Sequence, residues 1–273
     1  WNKDSDTYYN LECYNWSYVV GPDTYNINNA PYGLAPVDVN IGSDGSIYVA
    51  TSRYLAPNNQ SGKDLVIKSD DNGVSWSKYI GNITSESGAN NAAVRPYKVF
   101  VTNQSTYLIA TILGKIDGKE YGSTSGSQNY YEAVVLKKKN SESDEDWKVI
   151  YDFEDGENYR PSPRDLSVFS DGSNETVYIA GGSGTKDSRI FKKKNDDDLE
   201  LVLEQDSSSN IRAVHVTKDE TLYYTHQSKG VLKKGKDEDS WSTVYDENLG
   251  NNAFICQDVF VGDDNTCLLY TSD

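Results

Sequence analysis

Three aspartates, one lysine and four arginines stand at corresponding places in this chain, each close to the start of an apolar segment. The charges nearest the segments are Asp38, Lys98, Asp165 and Asp258, with Ala213 at the fifth equivalent position. Arg95, Arg160, Arg164 and Arg212 lie in the stretches leading in, and they are four of only six arginines in the chain. Two kinds of chemistry fit such a ring. An arginine can grip a carboxylate with two parallel hydrogen bonds, which suits an anion or sugar site. Carboxylates from different segments, here Asp38, Asp165 and Asp258, can act as the acid and base pair of a glycoside hydrolase if they stand at a defined separation. The same charges can also simply pair with one another and tie neighbouring segments together. Two long loops, residues 52–63 and 113–130, add Tyr54, Tyr121 and Tyr130, with Tyr131 next in line. Aromatics on loops suit sugar stacking or protein contact, or serve as surface cover.

Other chemistries lack their residues. His215 and His226 are isolated, without ligand spacing, and read as structural. No CxxC, HExxH, GxSxG or P-loop pattern occurs. The acidic turns Asp70-Asp71, Asp144-Glu145-Asp146, Asp196-Asp197-Asp198 and Asp237-Glu238-Asp239 do not match an EF-hand loop. They read as carboxylates ordering turns, so neither a structural Ca²⁺ ion nor any other cofactor is expected. The formal net charge of −16 excludes a simple nucleic-acid binder and docking on an anionic membrane. No apolar run approaches the ~20 residues of a membrane helix, and no signal-peptide pattern begins the chain. Methionine is absent, so a mature chain or a domain cut from something longer is expected.

The elements that must position these residues repeat. Five segments each read as apolar strand, polar turn and apolar strand: Val37 to Ala50, Tyr97 to Ala110, Arg164 to Ala180, Arg212 to Thr225 and Gln257 to Thr271. Their equivalent positions Val39, Val99, Leu166, Val214 and Val259 are spaced by 60, 67, 48 and 45 residues on subtraction. Such variation belongs in loops of a repeat array. After each of the first four comes a second hairpin with an acidic turn, and Trp76, Trp147 and Trp241 open outer strands. Its first strand ends in lysines (Lys137-Lys138-Lys139, Lys192-Lys193-Lys194, Lys233-Lys234), expected as solvated charges that block edge pairing.

The stretch Ser69-Asp70-Asp71-Asn72-Gly73-Val74-Ser75-Trp76 matches S-x-D-x-G-x-S/T-W. Asp71 can accept backbone N–H groups across a tight turn, and Gly73 allows a positive φ. On these eight residues the chain resembles the Asp-box (BNR) β-propeller families, which include sialidases and sortilin-like receptors. The resemblance concerns the fold. Sialidases use an arginine triad after an Arg-Ile-Pro start, of which Arg95-Pro96 and Arg160-Pro161 are only partial echoes. Five-bladed glycosidases with inward carboxylates are a second comparison, which Asp38, Asp165 and Asp258 would imitate.

The expected architecture is all-β: a single five-bladed β-propeller domain, residues 1–273, of four-stranded antiparallel blades. Residues 1–20 complete the last blade with 253–273, since Thr7 to Tyr14 reads as a third strand and Trp16-Ser17-Tyr18-Val19-Val20 matches Trp241-Ser242-Thr243-Val244-Tyr245. Closure would remove an open edge. It would also bring Cys13 to Cys267, so a disulfide stapling the ring is expected, with Cys256 left as a thiol. Sequons at Asn15, Asn59, Asn82, Asn103 and Asn174 fit a secreted glycoprotein. The function expected is an extracellular, monomeric, non-catalytic module that binds a glycan or protein on the loop face around the channel. It would stand alone or as one domain of a larger secreted or scaffold protein. The alternative is a glycoside hydrolase with inward carboxylates.

Overall fold

The computed structural model describes residues 35–52, 66–80, 93–116, 118–125, 128–142, 147–154, 160–182, 187–205, 210–227, 229–245, 255–262 and 266–272. The first sheet is an antiparallel meander of β1 (Ala35–Ile41), β2 (Ile47–Ser52), β3 (Val66–Ser69) and β4 (Ser77–Ile80). In the second sheet β5 (Ala93–Val101) and β6 (Ser105–Ile116) precede an insertion of β7 (Lys119–Tyr121), β8 (Ser123–Ser125) and β9 (Gln128–Tyr130). β10 (Glu132–Lys139) and β11 (Lys148–Asp152) then complete it. The third sheet is β12 (Pro163–Ser170), β13 (Glu175–Gly181), β14 (Ser188–Lys194) and β15 (Glu200–Gln205). The fourth is β16 (Ile211–Val216), β17 (Leu222–His226), β18 (Gly230–Lys234) and β19 (Ser242–Tyr245). β20 (Ile255–Val261) and β21 (Cys267–Ser272) pair with each other.

The sheets stack face to face, and each junction has its own apolar layer. Tyr48, Ala50, Leu108 and Val134 join the first sheet to the second. Ile109, Tyr151, Leu166 and Phe191 join the second to the third. Ile190, Val214 and Tyr224 join the third to the fourth. Ala213, Tyr223, Val231 and Val259 join the fourth to β20–β21. Both faces of most strands are therefore covered, which explains their near-continuous apolar runs. Successive four-stranded meanders, packed by their faces with the first strands inside, are the blades of a β-propeller.

The expected number of blades is corrected. Among the described residues there are four blades of four strands, not five; β20–β21 is a sheet of two strands. The sequence contains five inner hairpins, but only four of them are followed by an outer hairpin. Residues 7–20, expected to supply the missing strands, lie outside the described residues. The expected Cys13–Cys267 disulfide is not confirmed. Cys267 carries a free thiol, and Cys13 lies outside the described residues. Cys267 packs against the apolar layer of Ala213, Tyr223, Val259 and Val261. Burial pushes that thiol above its ordinary pKa.

Local sequence reading succeeds at the turn of β3 and β4. The Asp71 carboxylate accepts the Ser75 N–H at 2.8 Å and the Ser69 hydroxyl at 2.8 Å. Gly73 has φ 86°, and the Trp76 indole N–H donates to the Gly73 carbonyl at 3.1 Å. The lysine runs are only partly solvated. Lys137 reaches the buried Glu175 carboxylate at 3.4 Å, and Lys138 is buried with its ammonium 5.8 Å from the Trp147 ring centre. Long aliphatic stems let lysine serve at a packed junction while its charge finds a partner.

A feature absent from the sequence reading fixes the channel. Each inner strand carries an irregularity near its start: Pro36/Asp38, Pro96/Lys98, Pro163/Asp165, Ile211/Val214 and Cys256/Asp258. A bulge inserts one residue and re-aims the side chains beside it. It places Asp38, Lys98, Asp165 and Asp258 at equivalent positions on the channel wall.

Candidate functional site

The channel cavity has a volume of about 160 Å³ and is lined by Asp38, Asn40, Lys98, Asp165, Ser167, His215, Asp258 and Phe260, among others. Its charges are first of all ties between blades. Asp38 accepts the Val99 N–H at 2.9 Å, and Asp165 accepts the Val214 N–H at 2.8 Å. Two residues further along, Asn40 accepts from Val101 at 2.9 Å and Ser167 from Val216 at 3.1 Å. This pairing holds at the first-to-second and third-to-fourth junctions; at the second-to-third junction Lys98 cannot accept and donates to Asp165 instead. Accepting a backbone donor removes the desolvation cost of buried N–H groups. The fourth blade has Ala213 at the aspartate position and cannot pair in this way. There the Val259 N–H is accepted at 2.8 Å by its own neighbour, Asp258.

Lys98 sits among the carboxylates, 2.6 Å from Asp165 and 3.7 Å from Asp258. Burial opposes its charge, but the carboxylates outweigh burial and hold the ammonium above its ordinary pKa. Burial pushes Asp165 upward while Lys98 pulls it back. Asp38 is raised to about 6, mainly by burial, against the opposing pull of the Val99 N–H and Lys98. His215 is lowered by burial, and its Nε2 lies 3.1 Å from the Val261 carbonyl, the geometry of a neutral ring donating there. Asp165 is only 3% exposed with both oxygens engaged, whereas the Asp258 side chain is 52% exposed. As a hydrolase pair these carboxylates are unequal: Asp165 is walled in, and only Asp38 and Asp258 have room to act.

The expected arginines do not converge on the channel. Arg164 Nε donates to the Gly182 carbonyl at 2.8 Å and braces its own blade. Arg160 is bound to Asp152 at 2.6 Å and Glu154 at 2.6 Å. The buried Nε of Arg212 has no partner among the described residues. Arg95 is exposed; its guanidinium lies 4.2 Å from the Tyr131 ring centre and donates to the Tyr131 hydroxyl at 3.0 Å. Tyr130, beside it, is 52% exposed. Arg95 and Tyr131 form a patch at the start of the second blade's inner strand, with Tyr130 next to Tyr131 in the chain. Gly122 supports the patch: it has φ 69°, and a Cβ there would stand 2.5 Å from the Tyr130 carbonyl. Tyr54 lies outside the described residues.

Tyr121 and Arg160 meet instead in a groove between the second and third blades, of about 550 Å³. Lys119 and Asp152, which the sequence reading missed, belong to it. Nothing local marks them, since their pairing needs an insertion and a neighbouring strand. A second missed cluster ties these two blades at the opposite end. Glu175, buried, accepts from Ser105 at 2.6 Å, from Tyr107 at 2.9 Å and from Thr102. Among the described residues no group of three or more His, Cys, Asp or Glu is placed to hold a metal ion.

The fold and these sites define a β-propeller with a charged channel and a cation–aromatic patch at its mouth. The sequence matches no protein-family profile and no curated protein. Solved structures similar to it include a protein of unknown function from Dyadobacter fermentans, with TM-score 0.42 and 14% identity, covering 76% of this chain. This chain spans 61% of the length of that protein. A gluconolactonase from Xanthomonas campestris gives TM-score 0.47 and 11% identity over 88% of this chain and 68% of its own. Virginiamycin B lyase from Staphylococcus aureus gives 0.44 and 11% over 86% and 84%. These likenesses concern architecture, and no activity is carried across from them.

Proposed function

We propose that this chain is an extracellular, non-catalytic binding module that takes a glycan or protein ligand on the channel-mouth face, without cofactor. The observation that supports this most is the Arg95–Tyr131 pair beside exposed Tyr130. Arginine and tyrosine are enriched where binding energy concentrates, because both offer large, stiff, amphipathic surfaces. An exposed guanidinium held over a ring keeps donors free for a ligand. The test is binding of the whole chain to glycan arrays and to secreted proteins, compared with Arg95→Ala and Tyr131→Ala. Both variants are expected to lose at least tenfold in affinity for the ligand found. Unchanged binding in both would overturn the reading.

A hydrolase is the second reading, favoured by one observation. Asp38, with a pKa raised to about 6, is poised as a general acid while Asp258 stands open to solvent. Hydrolysis of any polysaccharide by the native chain, abolished in Asp38→Asn, would establish it. The inaccessibility of Asp165 argues for the binding module.

A further inference from the structure

Two of the five sequons, at Asn103 and Asn174, fall within the described residues, and their carboxamides are held differently. Asn103 is exposed in the turn between β5 and β6. That turn is fixed from within: the Thr102 hydroxyl accepts the Gln104 N–H at 3.1 Å and the Ser105 N–H at 2.9 Å. The Asn103 Oδ1 accepts the Ser43 hydroxyl, and its Nδ2 has no partner among the described residues. Asn174 is half-buried, and both ends of its amide are taken. Its Nδ2 donates to the Asp171 carboxylate at 3.1 Å, and its Oδ1 accepts from the Asn195 Nδ2 at 2.9 Å.

Asn103 also lines a second groove between the second and third blades, of about 550 Å³. The groove lies where the β5–β6, β10–β11, β12–β13 and β14–β15 turns meet. Its volume is that of an ordinary ligand site, ~300 to ~1,000 Å³. Every residue lining it is polar or charged. The charges cancel: the lining holds Lys137 and Lys139 with Glu175 and Asp196, and Lys137 lies 3.4 Å from Glu175. An ionic ligand gains little from such a surface. A neutral, hydroxyl-rich one can use its amides and hydroxyls, Asn140 and Ser141 among them. A covalent tether at the groove's edge removes most of the cost of association, so weak polar contacts suffice.

We infer that Asn103 carries an N-linked glycan whose innermost, neutral sugars lie in this groove. The inference rests on the reading of the chain as extracellular, and it adds a modification site and a second sugar surface, distinct from the Arg95–Tyr131 patch. The donor is an oligosaccharide on a lipid diphosphate. The Asn103 Nδ2 attacks the anomeric carbon, and the C–N bond forms as the C–O bond to phosphate breaks. The lipid diphosphate leaves with the bonding pair, and the amide gives one proton to the base of the transferring enzyme. The Ser105 hydroxyl that completes the sequon is buried in the folded chain, where it donates to Glu175 at 2.6 Å. Transfer therefore precedes the docking of the third blade on the second. A sugar on Asn174 would crowd the Asp171 and Asn195 side chains that close on its amide, so chains modified there are lost from the folded fraction.

The whole chain is secreted from a eukaryotic host behind a supplied signal sequence, and peptide mass spectrometry reads the occupancy of each sequon after enzymatic release of the glycans. Asn103 is expected to be modified in most of the secreted chain and Asn174 in little of it. Asn103→Gln is expected to lower the melting midpoint of the glycosylated chain by about 2–4 °C and to leave that of bacterially made, unglycosylated chain unchanged. Arg95→Ala, which tests the ligand-binding patch, is expected to leave Asn103 occupied, so the two readings fail separately. An unmodified Asn103 in the secreted chain overturns the site. Asn174 occupied as fully as Asn103 overturns selection by the fold. A midpoint shift of equal size from both hosts, or none from either, overturns the seating of the sugars in the groove.

Discussion

Lys98 of the second blade and Asp165 of the third meet at 2.6 Å on the channel wall, where Asp165 also accepts the Val214 N–H of the fourth. One carboxylate therefore holds three blades in register. The ring of charges that the sequence suggests as a ligand site is, at this point, a structural junction.

Removing the ammonium exposes the cost of that junction. Lys98→Met should destabilise the chain by about 3 kcal/mol, because a buried carboxylate is left with a single N–H partner. Lys98→Met with Asp165→Asn should recover most of the loss, since the amide oxygen still accepts from Val214 and no charge is stranded. Urea unfolding of the three proteins at neutral pH measures both effects. Additive losses in the double variant would contradict the coupling.

Asp38 makes stability depend on pH. Its folded pKa is raised from 3.8 to about 6, so the folded state holds a proton more tightly than the unfolded state. The contribution is fully present below 3.8 and is lost as pH rises through about 6. Asp38→Asn keeps an acceptor for Val99 and removes the titration. The variant should gain stability relative to the native chain as pH rises from about 3.8 to about 6, with the difference level above that, as read from urea midpoints at each pH.

The turn between β3 and β4 has the opposite sign. The side-chain and backbone donors of Ser75, with the Ser69 hydroxyl, hold the Asp71 carboxyl at about 2, below its ordinary 3.8. Its stabilisation is present above 3.8 and lost as pH falls toward 2. Carboxyl-carbon NMR should show Asp71 titrating near 2 in the native chain. In Ser75→Ala, which removes the hydroxyl donor, that midpoint should move upward.

Gly122 links backbone geometry to binding. Alanine there would meet the Tyr130 carbonyl at 2.5 Å with φ 69°, and backbone cannot yield cheaply. Gly122→Ala should cost about 1–3 kcal/mol of stability. It should also weaken any ligand held at the Arg95–Tyr131 patch, because Tyr130 and Tyr131 follow directly from the displaced strand. A variant as stable as the native chain would show that the insertion yields freely.

The sequence by itself determined the local elements. Alternating apolar segments, Gly73 and the acidic turns locate the inner and outer hairpins, and the Asp71 turn forms as its residues dictate. The aspartate positions were legible too, since Asp38, Asp165 and Asp258 recur at one place in a repeat. Only the tertiary structure decided what they do. A bulge shifts register by one residue and aims Asp165 across to Lys98 and Val214, two contacts that no local pattern encodes. It also decided that four complete blades are described where five inner hairpins are counted, and that Cys267 faces an apolar layer. Arg160 and Tyr121 were legible as candidates, but their meeting with Lys119 and Asp152 depends on strands from two blades. Short-range chemistry fixes turns and strand faces, while charge pairs between blades depend on packing that brings distant residues within 3 Å.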